Sequence, residues 1–206
     1  MTAARALGRP KDLEKRDAIL AAAMHLFAER GFDGVSIEAI AAEASVSKVT
    51  VYANFKDKGA ILAALVLRET QRLDEVLTSM DGSDLDLAGK LKQVGFALVD
   101  VLSTPCHQAL DRCLSTEMQR NPELARQFFE AGPGHLRSML AQLLSEARVC
   151  GEMKMNCEQE AAEDLLGLWL GFSAIERRYV KAPRPAEEMR KRIVRGVDFY
   201  IGTHRP

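Results

Sequence analysis

One stretch of this chain reads as a β-strand, and nothing else in the sequence offers it a partner. In SVSKVTVYANF, residues 45–55, Val49 and Val51 alternate with Lys48, Thr50 and Tyr52, and β-branched and aromatic residues favour strands. A strand leaves its backbone unpaired unless a neighbour hydrogen-bonds to it, and no second alternating run bounded by turn residues occurs in the chain. Read as a helix, the same residues put Val51 and Phe55 four apart on an inward face. Lys48, Thr50 and Tyr52 are then left to look outward or sideways. An isolated helix of under about 12 residues is marginal in water, so packing on its neighbours must hold this one.

The rest of the chain follows helical spacing, which predicts an all-α protein. From Lys15, the apolar positions Ile19, Leu20, Ala23, Leu26 and Phe27 form one face of a helix that stops at Gly31. Ser36 is a candidate N-cap for a second, short helix with Ile37, Ile40, Ala41 and Ala44 on its apolar face. Ser45 and Val46 break it, and Ser47 caps a third helix from Lys48 to about Phe55. After the turn at 56–59, Ile61, Leu62, Leu65, Val66, Leu73 and Leu77 belong to a long connecting helix that ends at the break 81–83. Further helices are expected at about 86–102, 106–120, 123–149 with an interruption at 132–134, 158–180 and 186–202.

Two short helices across a tight turn, the second capped by Ser47 and displaying Lys, Thr, Tyr and Asn, fit a helix-turn-helix whose second helix enters the major groove. Lys48 is suited to guanine O6 and N7, and Val49 to a thymine methyl. Thr50 and Tyr52 offer hydroxyls to phosphates, and Lys58 adds a cation. Residues 1–16 carry five basic against two acidic side chains, a net +3, and are expected to form a flexible arm for a second phosphate or minor-groove contact. With a net charge of −1 over 206 residues and a pI near 6.4, any such contact is confined to a patch.

GRPKD at 8 and ILAAAMHLFAERGFDGVSIEAIAAEASVSKVTVYANFKDK from 19 resemble the DNA-binding domain of TetR-family transcriptional regulators over residues 8–60. Val49 stands where many members have Gly, and Gly59 where an acidic residue is common. By position, the resemblance implies that Lys48 and Val49 face bases and that Ser36, Thr50, Tyr52, Asn54 and Lys58 hold the DNA backbone. Arg9, Lys11 and Ser47 complete the candidate DNA set. RNPELARQFFEAGP from 120 and GFALVDVLSTP from 95 are more weakly similar to the ligand-binding halves of AcrR- and AefR-like members.

This resemblance implies a helix-turn-helix domain at 1–58 and a larger helical ligand-binding and dimerisation domain at 59–206. It further implies a homodimer on a palindromic double-stranded operator, most often a repressor, which a small apolar or amphipathic ligand releases. Phe96, Val99, Leu114, Met118, Phe128, Phe129 and Trp169 are candidates to line a pocket, or else belong to the core, and Trp169, with Phe172, Leu166 and Leu170, reads as dimer or core packing ahead of ligand contact. Leu166, Leu170, Val194, Val197 and Ile201, on the last two helices, are candidates for the dimer interface.

Other chemistries find less support. Cys106 and Cys113, seven residues apart, share a helical face and with His107 offer an alternative redox or soft-metal response, but without a known ligand spacing. There is no GxSxG, HExxH, P-loop or GxGxxG motif, so neither an enzyme nor a cofactor is expected. The positive N-terminus lacks a secretory apolar core, and the longest apolar run, 165–175, falls short of the roughly 20 residues that span a bilayer. A cytoplasmic protein with reduced cysteines is expected.

Overall fold

The computed structural model describes residues 9–80, 84–104, 107, 108, 111, 118, 121–173, 175, 176 and 184–205. Among these, nine helices are bounded: α1 (Arg9–Arg30), α2 (Ile37–Glu43), α3 (Lys48–Asn54), α4 (Lys58–Met80), α5 (Leu87–Ser103), α6 (Pro122–Ala131), α7 (Pro133–Val149), α8 (Glu158–Leu170) and α9 (Ala186–Thr203). The fold is all-helical, and the strand-like residues 48–52 lie in α3. The chain divides into two compact units, residues 1–68 with 105–128, and residues 69–104 with 129–206.

In the first unit, α1, α2 and α3 pack on one another around Ile19, Ala23, Leu26, Phe27, Ile40, Val51, Phe55 and the start of α4 at Ile61, Leu62 and Leu65. The Phe27 and Phe32 rings lie 5.3 Å apart, closing the turn below α1. Fully burying a side chain of this size contributes roughly 1.5–3 kcal/mol, which is what offsets the poor helix propensity of the valines in α3.

In the second unit, α9 packs on α5 and α8, and α7 packs on α8. The core contains Leu91, Val94, Leu98, Leu140, Leu144, Leu165, Trp169, Ile193, Val197 and Tyr200. α5 and α9 meet at Gly95, where a Cβ would fall 2.3 Å from Ile193 Cγ2, so only glycine admits that approach. Asp86 caps α5 by accepting from the Gly89 N–H at 2.8 Å.

Two helix boundaries differ from expectation. α1 begins at Arg9, not near Lys15, so residues 9–16 are helical and only residues 1–8 of the expected arm lie outside the described chain. The signal was Pro10, whose missing N–H and fixed φ suit a first helical turn. α8 stops at Leu170, where Gly171 adopts φ +39° and the Arg192 guanidinium donates to the Leu168 carbonyl at 2.8 Å. Beyond it, residues 173, 175 and 176 are helical and 177–180 lie outside the described residues. Of the helix expected at 106–120, residues 107, 108, 111 and 118 are described, and all are helical.

Candidate nucleic-acid interface

The geometry of the helix-turn-helix is set by its caps. Ser36 Oγ accepts from the Ala39 N–H at 3.1 Å and starts α2. The Val46 N–H donates to Ala41 O at 2.9 Å and the Ser45 N–H to Ala42 O at 3.1 Å, the paired bonds of a Schellman ending, with Ser45 at φ +53° where glycine is usual. Ser47 Oγ then accepts from the Thr50 N–H at 3.1 Å and starts α3. One residue after α2 sits in the left-handed region, and that reversal turns α3 away from α2.

α3 divides its side chains as the sequence predicts. Val51 is buried and so is Phe55, the residue that closes the helix. Val49 is 78% exposed and Tyr52 50% exposed, both large apolar surfaces left in solvent beside the exposed Lys48. Thr50 is half-buried, its Oγ1 lying 2.8 Å from Ser47 Oγ. Asn54 is half-buried and donates from Nδ2 to the Thr50 carbonyl at 2.9 Å. Ser36 and Ser47 are exposed, each with its hydroxyl already committed as a cap.

Lys58 departs from expectation. Its ammonium donates to Phe32 O at 2.6 Å and Val35 O at 2.8 Å and lies 4.4 Å from the centre of the Phe32 ring. Two of its three donors are spent on the turn before α2, so it ties the start of α4 to that turn and does not stand free for a phosphate. Arg16 likewise places its guanidinium 4.6 Å over the Phe55 ring. The backbones of Arg9 and Lys11 belong to α1, and their side chains lie outside the described residues.

Sequence reasoning missed Glu38. It projects from the first turn of α2 and forms an ion pair with Lys48 Nζ, which also lies 5.7 Å from the Tyr52 ring centre. The Lys48 hydrogen bond holds the Glu38 carboxyl below its ordinary range, and the reciprocal bond holds Lys48 above its own. Ten residues separate the two, so helical spacing within one element gives no sign of the pair.

The pocket candidates are divided between the two units, Phe96, Val99, Phe129 and Trp169 in the second and Leu114, Met118 and Phe128 in the first. Val99 and Trp169 are core residues, Trp169 fully buried, and Phe96 packs half-buried against them. Phe128 and Met118 are half-buried, and Leu114 lies outside the described residues. Phe129 is a correction: it is 49% exposed, with the Arg137 guanidinium 5.8 Å from its ring centre, because its helix presents it to solvent. An open recess of about 530 Å³ is lined by Gln71, Asp74, Glu75, Thr78 and Ser79, none of them a pocket candidate.

Val197 is a second correction. It is fully buried because it shares the inward stripe Met189, Ile193, Gly196, Val197 and Tyr200, so it cannot face another chain. Leu166, Leu170, Val194 and Ile201 are half-buried. Phe172 and Phe199 are more than 60% exposed; Phe172 is one of the residues read as dimer or core packing, whereas Phe199 was not singled out, although it falls off the inward stripe of α9.

Cys106 and Cys113 lie outside the described residues, and among those described no group of three or more His, Cys, Asp or Glu could hold a metal ion. Among the described residues no helix is long and apolar enough to cross a membrane.

Comparison with known proteins extends these observations. Residues 19–65 match the family described as bacterial regulatory proteins, tetR family, and residues 89–204 match the C-terminal domain of AefR-like transcriptional repressors. The chain is 46% identical over 55 residues to the HTH-type transcriptional regulator YdeS of Bacillus subtilis, a match that covers 27% of this chain and 28% of YdeS. A crystal structure of a TetR-family regulator from Mesorhizobium loti is similar with a TM-score of 0.82 and 25% identity, over 96% of this chain and 100% of that one. The flavonoid-responsive regulator FrrA is similar with a TM-score of 0.72 and 29% identity, over 93% of this chain and 97% of FrrA.

Proposed function

This chain belongs to the TetR family of bacterial transcriptional regulators, with an AefR-like C-terminal domain, and we propose that it is a homodimeric repressor released from a palindromic operator by a small ligand. The family regulates transcription by binding DNA and is not enzymatic. Residues 1–58 are the DNA-binding head, with α3 in the major groove, and residues 59–206 hold the ligand and dimerise. The observation that carries this reading is α3 itself, a seven-residue helix that keeps Lys48, Val49 and Tyr52 in solvent while Val51 anchors it below. Val49 and Tyr52 stand exposed together with Lys48 on successive turns of this helix, so an apolar contact, a hydroxyl and a cation are presented on one short element.

Lys48 and Val49 read base edges, and Tyr52, Thr50, Ser47, Ser36 and Asn54 approach the backbone. Arg9 and Lys11 add the basic N-terminal contact. A two-fold dimer would set its recognition helices about 34–36 Å apart, on successive major grooves. Phe172 and Phe199 join Leu166, Leu170, Val194 and Ile201 as the dimer surface. The description of the C-terminal domain supports repression, and FrrA, named for its response to flavonoids, supports an amphipathic aromatic as the first ligand class to try. Such a regulator works in the cytoplasm, beside the chromosome.

The test is fluorescence anisotropy on a duplex selected from a random library by the wild-type protein. Lys48→Ala should relax preference at one base position, at a cost of about 1–3 kcal/mol. Equal loss on every sequence would assign Lys48 to the backbone, and failure to enrich any duplex would refute the reading.

A further inference from the structure

Two of the three cations of the helix-turn-helix, Lys48 and Lys58, are already occupied within the protein. Residues 36–58 carry Glu38, Glu43 and Asp57 against Lys48, Lys56 and Lys58, a net charge of zero. Lys48 is paired with Glu38, and Lys58 is bonded to the carbonyls of Phe32 and Val35. Sequence-independent DNA binding depends on the number of phosphates that free cations neutralise. This segment supplies few.

We propose that Glu38 is a specificity-determining residue, one that withholds Lys48 from phosphates and yields it only to a base edge. The proposal rests on α3 being the DNA-reading helix. On arbitrary DNA, a phosphate that approaches Lys48 also approaches the Glu38 carboxylate held beside it, and the repulsion between the two anions offsets much of the attraction to the ammonium. At a guanine, the ammonium has three donors: it keeps one on Glu38 and offers the others to O6 and N7, with the carboxylate fixing its direction. Glu38 is thus a positioning residue and, toward phosphate, a repulsive element of the kind that lowers affinity for wrong partners more than for right ones. The exposure of both side chains leaves them accessible to DNA.

The experiment compares Glu38→Gln with wild type on the selected duplex and on a scrambled duplex, across a salt series. Glu38→Gln keeps the shape and one acceptor oxygen and removes the charge. Affinity for the scrambled duplex should rise several-fold, and its log–log salt slope should steepen by about one as Lys48 gains a phosphate. The ratio of selected to scrambled affinity should fall about tenfold, on the scale of one misread base pair. In a Lys48→Gln background the same Glu38→Gln change should leave that ratio unaltered.

A ratio and slope unchanged by Glu38→Gln, with wild type still discriminating, would overturn the role of Glu38 and leave the DNA reading standing. An effect undiminished in the Lys48→Gln background would also overturn it, because the charge would then act on the whole surface and not through Lys48. If wild type failed to discriminate the two duplexes, the reading of α3 would fall, and this proposal with it. Circular dichroism melts of the variants separate these outcomes from loss of fold.

Discussion

Among the described residues, Ser45 and Tyr200 show strain and unmet bonding that substitution can expose. Ser45 occupies a left-handed conformation that costs an L-residue about 1 kcal/mol or more. Ser45→Gly removes that cost at the end of α2, so it should stabilise the protein by about 1 kcal/mol and raise the melting midpoint by roughly 2–4 °C, measurable by calorimetry. Tyr200 is buried with its hydroxyl unpartnered among the described residues, and burial, with a smaller contribution from Asp164, pushes its pKa from 10.0 up to about 12. The folded protein therefore holds this proton more tightly than the unfolded chain. The stability that results is fully present below pH 10 and is lost as pH climbs toward 12. Tyr200→Phe should leave stability equal or higher at neutral pH, since no bond is broken, and should flatten the alkaline decline of the urea midpoint. An unchanged decline would assign the titration elsewhere. At this scale the sequence displays outward Lys48, Val49 and Tyr52 because helical phase alone orients them. It conceals the partners of Lys48 and Lys58, because those lie on other elements and no local period encodes them.

At the scale of elements, α3 is the informative case, since its local propensity favours a strand and its fold is imposed by neighbours. Val51→Ala removes a fully buried side chain beneath a seven-residue helix and should cost about 2 kcal/mol. Hydrogen exchange should accelerate first at the Phe55 amide, which is bonded to the Val51 carbonyl at 2.8 Å. Equal acceleration throughout the chain would mean that α3 is not an independently fraying unit. Most helix ends were readable because Ser36, Ser47, Gly31 and the prolines announce themselves. The end of α8 was not, because LLGLWLGFSAI is apolar on both sides of Gly171 and only the backbone dihedral there distinguishes a stop from a tolerated glycine. The candidates for a pocket and a dimer surface were the least readable. Helical spacing marks apolar positions without saying which of them the core takes, as buried Val197 and exposed Phe199 on one helix illustrate.

At the scale of the whole molecule, the proposed dimer predicts that Phe199→Glu, which places a charge on a ring 61% exposed in the single chain, leaves the fold intact and shifts sedimentation to the monomer. Selected-duplex affinity should fall with it, because one head then binds one half-site. A variant that still sediments as a dimer would move the interface elsewhere. The contact between α5 and α9 has a different reach. A Cβ at position 95 would stand 2.3 Å from a branch methyl of Ile193, so the two positions share one fixed volume. Over evolutionary time that volume acts as a joint constraint. Among relatives that keep this packing, alanine or serine at the position of Gly95 should occur together with a residue lacking the branch methyl at the position of Ile193. The pair should therefore drift together, and an ancestral path between the two states should pass through the smaller pair of side chains first.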